Sequence, residues 1–252
     1  MNERLFNVKN EFTFEGLFRI DIELTIMYTA NDNRYQLQEG TFMFKELKYK
    51  YYHDIIDCLV SALEAKDVYT KGHSDRVAQF ASDIAFAIGF RGDALDRIHI
   101  AGHLHDIGKI GISDLILNKA GKLTFSEYEN IKKHSKIGYD ILSKSSELNE
   151  IALFIKHHHE AYDGTGYPDG LSGEAIPLES RILAISDAID AMTSKRHYRN
   201  QVDFKTCRKE IERCAGGQFD PRIVKAMSDL WPKWENMKSY QDFHNPNFEW
   251  CS

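Results

Sequence analysis

The chain has 252 residues, 42% of them hydrophobic, and a formal net charge of −6 at pH 7. That length supports one main domain with a real core, and mild acidity without a Lys/Arg-rich run excludes a duplex nucleic-acid track while leaving room for a small anion in a local basic pocket. No stretch approaches the roughly 20 apolar residues of a transmembrane helix, and the opening MNERLFNVKNEF lacks a signal-peptide pattern, so a soluble cytoplasmic chain with no membrane partner is expected.

In chain order, FRIDIELTIMYT alternates apolar and polar positions, NDN supplies turn residues and RYQLQEGTFMF resumes the alternation. This predicts a hairpin or small β-unit, and residues 1–45 are expected to be a β-rich N-terminal segment. From Lys45 the period becomes helical. Leu47, Tyr51, Ile55, Leu59 and Leu63 form an apolar stripe on a helix running to about Ala65, facing the core or a second copy, so a homodimer is allowed. SDRVAQFASDIAFAIG predicts a helix ending at Gly89, and DALDRIHIAGHLHDIGK another, with Asp93 as N-cap and Gly108 near its close. Thr124 followed by Glu127 is a capping-box signature for the next helix. Residues from about Asn149 to Glu160 and the segment LESRILAISDAIDAMTS predict two more helices, separated by the compact loop DGTGYPDG. The four cysteines form no CxxC pair and no disulfide framework. The expected class is a mainly α bundle over residues 46–252 preceded by the β-rich segment.

Seven of the eleven histidines lie between His99 and His159, which is where chemistry is sought. His105 and Asp106 adjoin at the end of an apolar helix, and imidazole with carboxylate suits a divalent transition metal. Alone the pair is weak. It gains weight from His73, His134, His158, His159 and Asp187, each at the end or on the face of a predicted helix. Asp187 stands out because carboxylates in an apolar core helix are costly unless paired or bound to metal. His99 and His103, one turn apart, mimic a ligand pair but are read as packing or supporting groups, and His157 as a neighbour.

KDVYTKGHSDRV, HLHDIGKIGI, ILNKAGKLT, HHHEAYDGTGYPDGLSGEAIP, RILAISDAIDAMTSKRHYR and GGQFDP, in that order, resemble the successive blocks of the HD-GYP domain, a branch of the HD metal-dependent phosphohydrolases. The resemblance runs from about Glu64 to Trp231. It implies a helical bundle acting as a cyclic di-GMP phosphodiesterase with two, sometimes three, iron or manganese ions. It also implies that His73, His105, Asp106, His134, His158, His159 and Asp187 are the metal ligands, with Asp106 bridging. Two cations would clamp the scissile phosphate and activate a water as hydroxide. Lys109 matches the family lysine beside the metals, and electrostatic stabilisation of phosphate is preferred to acid catalysis for a group of pKa ~10. Gly166, Tyr167 and Pro168 form the signature loop, implied to shape the site and to contact partners.

One position departs from the three-metal members. The acidic residue four before the first histidine is here Tyr69, so two metals are expected, with Glu64 and Asp67 as other routes to the site. Arg196 and Arg199 could pair with phosphate oxygens or form structural salt bridges, and both readings stand. The expected reaction is hydrolysis of cyclic di-GMP to the linear dinucleotide and on toward GMP. The alternatives are 3′,3′-cyclic GMP-AMP as substrate, a non-catalytic cyclic-dinucleotide receptor, and a di-iron oxygenase on the same scaffold. A signalling partner could dock on the signature loop or on residues 1–45.

Overall fold

The computed structural model describes residues 6–14, 18–26, 53–67, 72–194 and 201–236, the first two by backbone alone. The chain falls into two compact units, Met1–Ile55 and Ile56–Ser252.

In the first unit, β1 (Phe6–Phe14) pairs antiparallel with β2 (Phe18–Ile26), Phe6 opposite Ile26 and Phe14 opposite Phe18. Strand β1 is one that the alternation around NDN had not marked. The register accounts for the pair: Phe6, Val8, Phe12 and Phe14 meet Ile26, Leu24, Ile20 and Phe18, so two matched alternations oppose each other. The segment RYQLQEGTFMF, broken by Gly40, lies outside the described residues. One strand pair is not a β-rich segment of 45 residues, and the second unit is helical, with only an isolated bridge between Ala215 and Phe219 among its described residues. The expected fold class is corrected accordingly: the protein is a helical bundle, and the β-rich N-terminal segment is withdrawn.

The bundle comprises α1 (residues 53–66), α2 (His73–Ala87), α3 (Asp93–Leu104), a 3₁₀ turn (Ile107–Gly111), α4 (Asp114–Leu117), α5 (Phe125–Leu142), α6 (Asn149–Lys156), α7 (Leu178–Thr193), α8 (Phe204–Arg213), α9 (Pro221–Ala226) and α10 (Trp231–Glu235). On α1 the buried residues are Ile56, Val60 and Leu63, whereas Ile55 and Leu59 are exposed. Of the expected stripe, Leu63 is buried and Leu47 and Tyr51 lie outside the described residues, while the stripe that meets the core runs one residue on from Ile55 and Leu59. Both satisfy helical spacing, so the period alone could not choose between them.

Helix α2 closes in a Schellman arrangement at Gly89, whose N–H meets the Phe86 carbonyl while that of Phe90 meets Ala85. Asp93 is the first residue of α3 and not its cap, which is Gly92. It still places a carboxylate in the first turn, where the helix dipole favours one. The capping box at α5 forms as read: Thr124 accepts from the Glu127 amide, Glu127 accepts from the Thr124 amide, and Lys119 pairs with Glu127. Thr124→Ala should lower the denaturation free energy by about 1 kcal/mol without altering metal content, measured by urea unfolding.

Ile84, Ile98, Leu104, Ile155, Ile182 and Ile189 meet in one core. Its far end is closed by α10, where Trp234 Nε1 donates to the buried Asp83 carboxylate at 2.8 Å and Lys233 reaches the same group at 2.9 Å. The packing of α2 on α3 and on α7 brings the first residue of α2, the end of α3 and the middle of α7 to one place. The 3₁₀ turn after α3 lies against α5, and a Cβ on Gly108 would fall 1.8 Å from the His134 carbonyl oxygen. Only glycine permits that approach, which brings α5 beside the His105-Asp106 pair.

Candidate metal centre

His73 opens α2, His105 and Asp106 follow α3, His134 lies in α5, His158 and His159 occupy the turn after α6, and Asp187 faces inward from α7. These residues converge as two triads, His73 with His105 and Asp187, and His134 with His158 and His159. Within each triad the potential ligand atoms lie within 4.8 Å of one another. Asp106 stands between them: Oδ1 is 3.4 Å from His134 Nε2, and Oδ2 is 3.4 Å from His105 Nε2 and 3.6 Å from His73 Nε2.

The hydrogen bonds fix which nitrogens face the centre. His105 Nδ1 donates to the Gly102 carbonyl at 2.7 Å, His134 Nδ1 to Ile131 at 2.8 Å and His158 Nδ1 to Ile155 at 2.5 Å. A carbonyl can only accept, so each of these Nδ1 atoms carries the proton and a neutral ring presents its Nε2 lone pair inward. His73 Nδ1 bonds Asp190 at 2.7 Å, so there too a proton sits on Nδ1 and Nε2 is the nitrogen that faces the centre. The inward nitrogens then crowd together, His73 and His105 at 3.1 Å and His134 and His158 at 3.5 Å. Lone pairs that close repel unless a cation or proton lies between them, and the donor set of imidazole and carboxylate suits a divalent transition metal. The residues present fit a two-metal group.

Electrostatics separate the two halves. Burial presses His73 downward, but hydrogen bonds to Asp106 and Asp190, with the charge of Asp187, outweigh it and raise the imidazole to about 9. Burial, then the neighbouring His134 and His105, hold His158 down to about 3. Burial likewise lowers His134 and His159. A raised histidine stabilises the fold fully below its ordinary 6.5 and loses that contribution as pH climbs through about 9; a depressed one contributes fully above 6.5 and loses it as pH falls toward 3. Chelator-stripped protein should therefore be most stable near pH 6.5, with its melting temperature falling on either side. A melting temperature rising steadily to pH 9 would contradict this.

Burial opposes charge on Lys109 and Asp106 alike, yet their contact prevails: Nζ lies 2.6 Å from Asp106 Oδ2, Asp106 is held well below the usual carboxylate range and Lys109 is raised. Asp67 is buried and 3.5 Å from Lys109. Of the two acids considered as other routes to the site, Asp67 reaches it, while Glu64 accepts the Gly72 amide at 2.6 Å just before His73. Tyr69, Arg196 and Arg199 lie outside the described residues.

Asp190 was not singled out by the sequence, although it repeats Asp187 three residues on. The cost of a buried carboxylate, first argued for Asp187, belongs to Asp190: its side chain is 1% exposed against 22% for Asp187. Arg76 forks onto both of its oxygens and Ser194 Oγ donates to one of them. His99 and His103 bond each other at 3.1 Å outside both triads, and His157 lies 3.5 Å from Glu160.

A cavity of about 880 Å³ opens over the centre, lined by His73, Asp106, Lys109, His134, His159 and Asp187 on one side, by residues 116–117 and 119–123 on another, and by Tyr167. Tyr167 lies over His159, ring centroids 4.8 Å apart and tilted by 31°. A Cβ on Gly166 would come within 2.2 Å of the Ala161 amide nitrogen and 2.5 Å of the His159 carbonyl oxygen, so this close return of the loop requires glycine. The Tyr167-Pro168 peptide bond is cis. No described helix is long and apolar enough to cross a membrane.

Residues 57–223 match the HD domain family. The chain is 42% identical over 171 residues to the cyclic di-GMP phosphodiesterase response regulator RpfG of Xanthomonas campestris, covering 67% of this chain and 45% of that protein. It is 37% identical over 180 residues to the 3′3′-cGAMP-specific phosphodiesterase 2 of Vibrio cholerae, covering 71% and 34%. It thus spans less than half the length of these curated relatives. A crystal structure of a cyclic GMP-AMP specific phosphodiesterase of V. cholerae shares the fold with a TM-score of 0.56 at 19% identity, over 75% of this chain and 53% of that one. The match covers most of the helical bundle and the motif blocks fold onto one histidine-aspartate centre, so the chain belongs to the HD domain family, in its HD-GYP branch.

Proposed function

We propose that this chain hydrolyses a 3′,5′-cyclic dinucleotide in the cytoplasm, cyclic di-GMP first and 3′,3′-cyclic GMP-AMP as the alternative, to a linear product with a 5′-phosphate. The observation that carries the reading is the convergence of two ligand triads on Asp106 in the floor of a cavity whose about 880 Å³ suits a bulky ligand. Relatives named for both substrates, at 42% and 37% identity, support it. We assign His73, His105 and Asp187 to one ion, His134, His158 and His159 to the other, and Asp106 to both. Mixed nitrogen and oxygen donors without cysteine favour iron or manganese. When bound, the two ions supply Lewis acidity and an activated water.

The protein's own groups do the rest. Lys109 is held positive between Asp106 and Asp67, and its raised pKa suits a fixed charge against phosphate oxygens better than a proton donor. Tyr167 forms a wall beside His159. Arg196 and Arg199 follow α7 in the sequence and are assigned to phosphate oxygens. Residues 46–252 constitute the hydrolase, with residues 1–45 outside it. The test is to give the metal-loaded protein cyclic di-GMP and cyclic GMP-AMP together and follow both by chromatography. Linear dinucleotide is expected, from cyclic di-GMP first; persistence of both rings overturns the reading.

A further inference from the structure

The signature loop is held by a residue that the metal centre does not use. Glu160 follows His159, is 3% exposed, and turns its carboxylate into the loop. Oε1 accepts the Asp169 amide at 2.8 Å and Oε2 accepts the Leu171 amide at 3.1 Å, with His157 Nδ1 3.5 Å from Oε1. A buried carboxylate is tolerated where donors meet it, and here backbone amides do. Two further bonds close the same loop: the Tyr167 amide donates to the His159 carbonyl at 3.1 Å, and Lys156 pairs with Asp169 at 2.6 Å. Between these anchors stands Tyr167, on His159 and in the cavity wall.

We propose that Glu160 is a positioning residue: by holding the Asp169 and Leu171 amides it fixes the loop so that Tyr167 stays against His159 as a rigid wall for the cyclic dinucleotide. The proposal rests on the hydrolase reading above. Glu160 itself does not line the cavity; it acts through the loop. Glu160→Gln is the sharpest variant, because the side-chain NH₂ that replaces one oxygen faces a backbone N–H, donor against donor, at almost unchanged volume.

Three readouts separate this role from a merely structural one. Amide exchange at Asp169 and Leu171 in Glu160→Gln should speed at least about tenfold while core amides in α2 and α7 keep their protection. KM for cyclic di-GMP should rise about tenfold, with kcat moving less than about threefold. Adding Glu160→Gln to Tyr167→Ala should raise KM no further than Tyr167→Ala alone, since both act through one wall. Unchanged exchange at the two amides, an unchanged KM, or full addition of the two substitutions would overturn the proposal. If loaded wild-type protein cleaves no cyclic dinucleotide, the hydrolase reading fails, and the exchange experiment still decides whether Glu160 holds the loop.

Discussion

Asp106→Asn is expected to abolish turnover, by at least roughly 10³-fold, and to leave the chain unable to hold two metals after dialysis. The substitution keeps the side chain's volume and one carbonyl oxygen, so it tests charge and bridging rather than packing. In the wild type each Asp106 oxygen faces a different triad, at 3.4 Å from His134 and 3.4 Å from His105. An amide offers one oxygen and turns its NH₂ toward the other side, where a cation would stand. It also takes the nearest charge away from Lys109, whose Nζ lies 2.6 Å from Asp106 and 3.5 Å from Asp67. His105→Ala should lose metal and activity together with it. Metal analysis by atomic emission, with circular dichroism to verify the fold, reads the result. An Asp106→Asn protein that retains two metals and normal turnover would remove the aspartate from the centre.

Asp190→Asn is expected to weaken metal binding by roughly 10- to 100-fold although the residue lies outside both triads. As a carboxylate, Asp190 can only accept, so His73 must carry its proton on Nδ1 and leave Nε2 free for a cation. An asparagine held in place by Arg76 keeps its oxygen on that guanidinium and turns its NH₂ to His73. The imidazole would then protonate on Nε2 and aim an N–H at the metal position. Competition with a chelator of known affinity measures the loss. Asp190→Asn loading as tightly as wild type would show that the tautomer of His73 is fixed elsewhere.

What could be read from the sequence, and what could not, divides along physical lines. The capping box at Thr124 and Glu127 and the close of α2 at Gly89 were legible because they depend on residues a few positions apart. The ligand candidates were legible because histidine and aspartate are conspicuous at helix ends, and the structure gathers them into two triads. Asp190 escaped because its role is set by His73 and Arg76, more than 110 residues earlier in the chain. The strand β1 escaped because only the segments on either side of NDN stood out as alternating, and its match to β2 shows only when the two are set in register. On α1 the period alone could not say which stripe meets this chain's core: Ile55 and Leu59 fit it as well as Ile56 and Val60 do, and packing buries the latter. Gly166 was legible as a glycine of the signature loop, but the reason it must be glycine, the close approach of the Ala161 amide, depends on how the loop folds back.

Activity should follow metal content. Metal-free protein titrated anaerobically with Fe(II) or Mn(II), with bound metal and hydrolysis of cyclic di-GMP and cyclic GMP-AMP measured at each step, should show little turnover up to one ion per chain and a rise to its maximum as the second binds. Full activity with one ion, or none of either reaction with two, would contradict it.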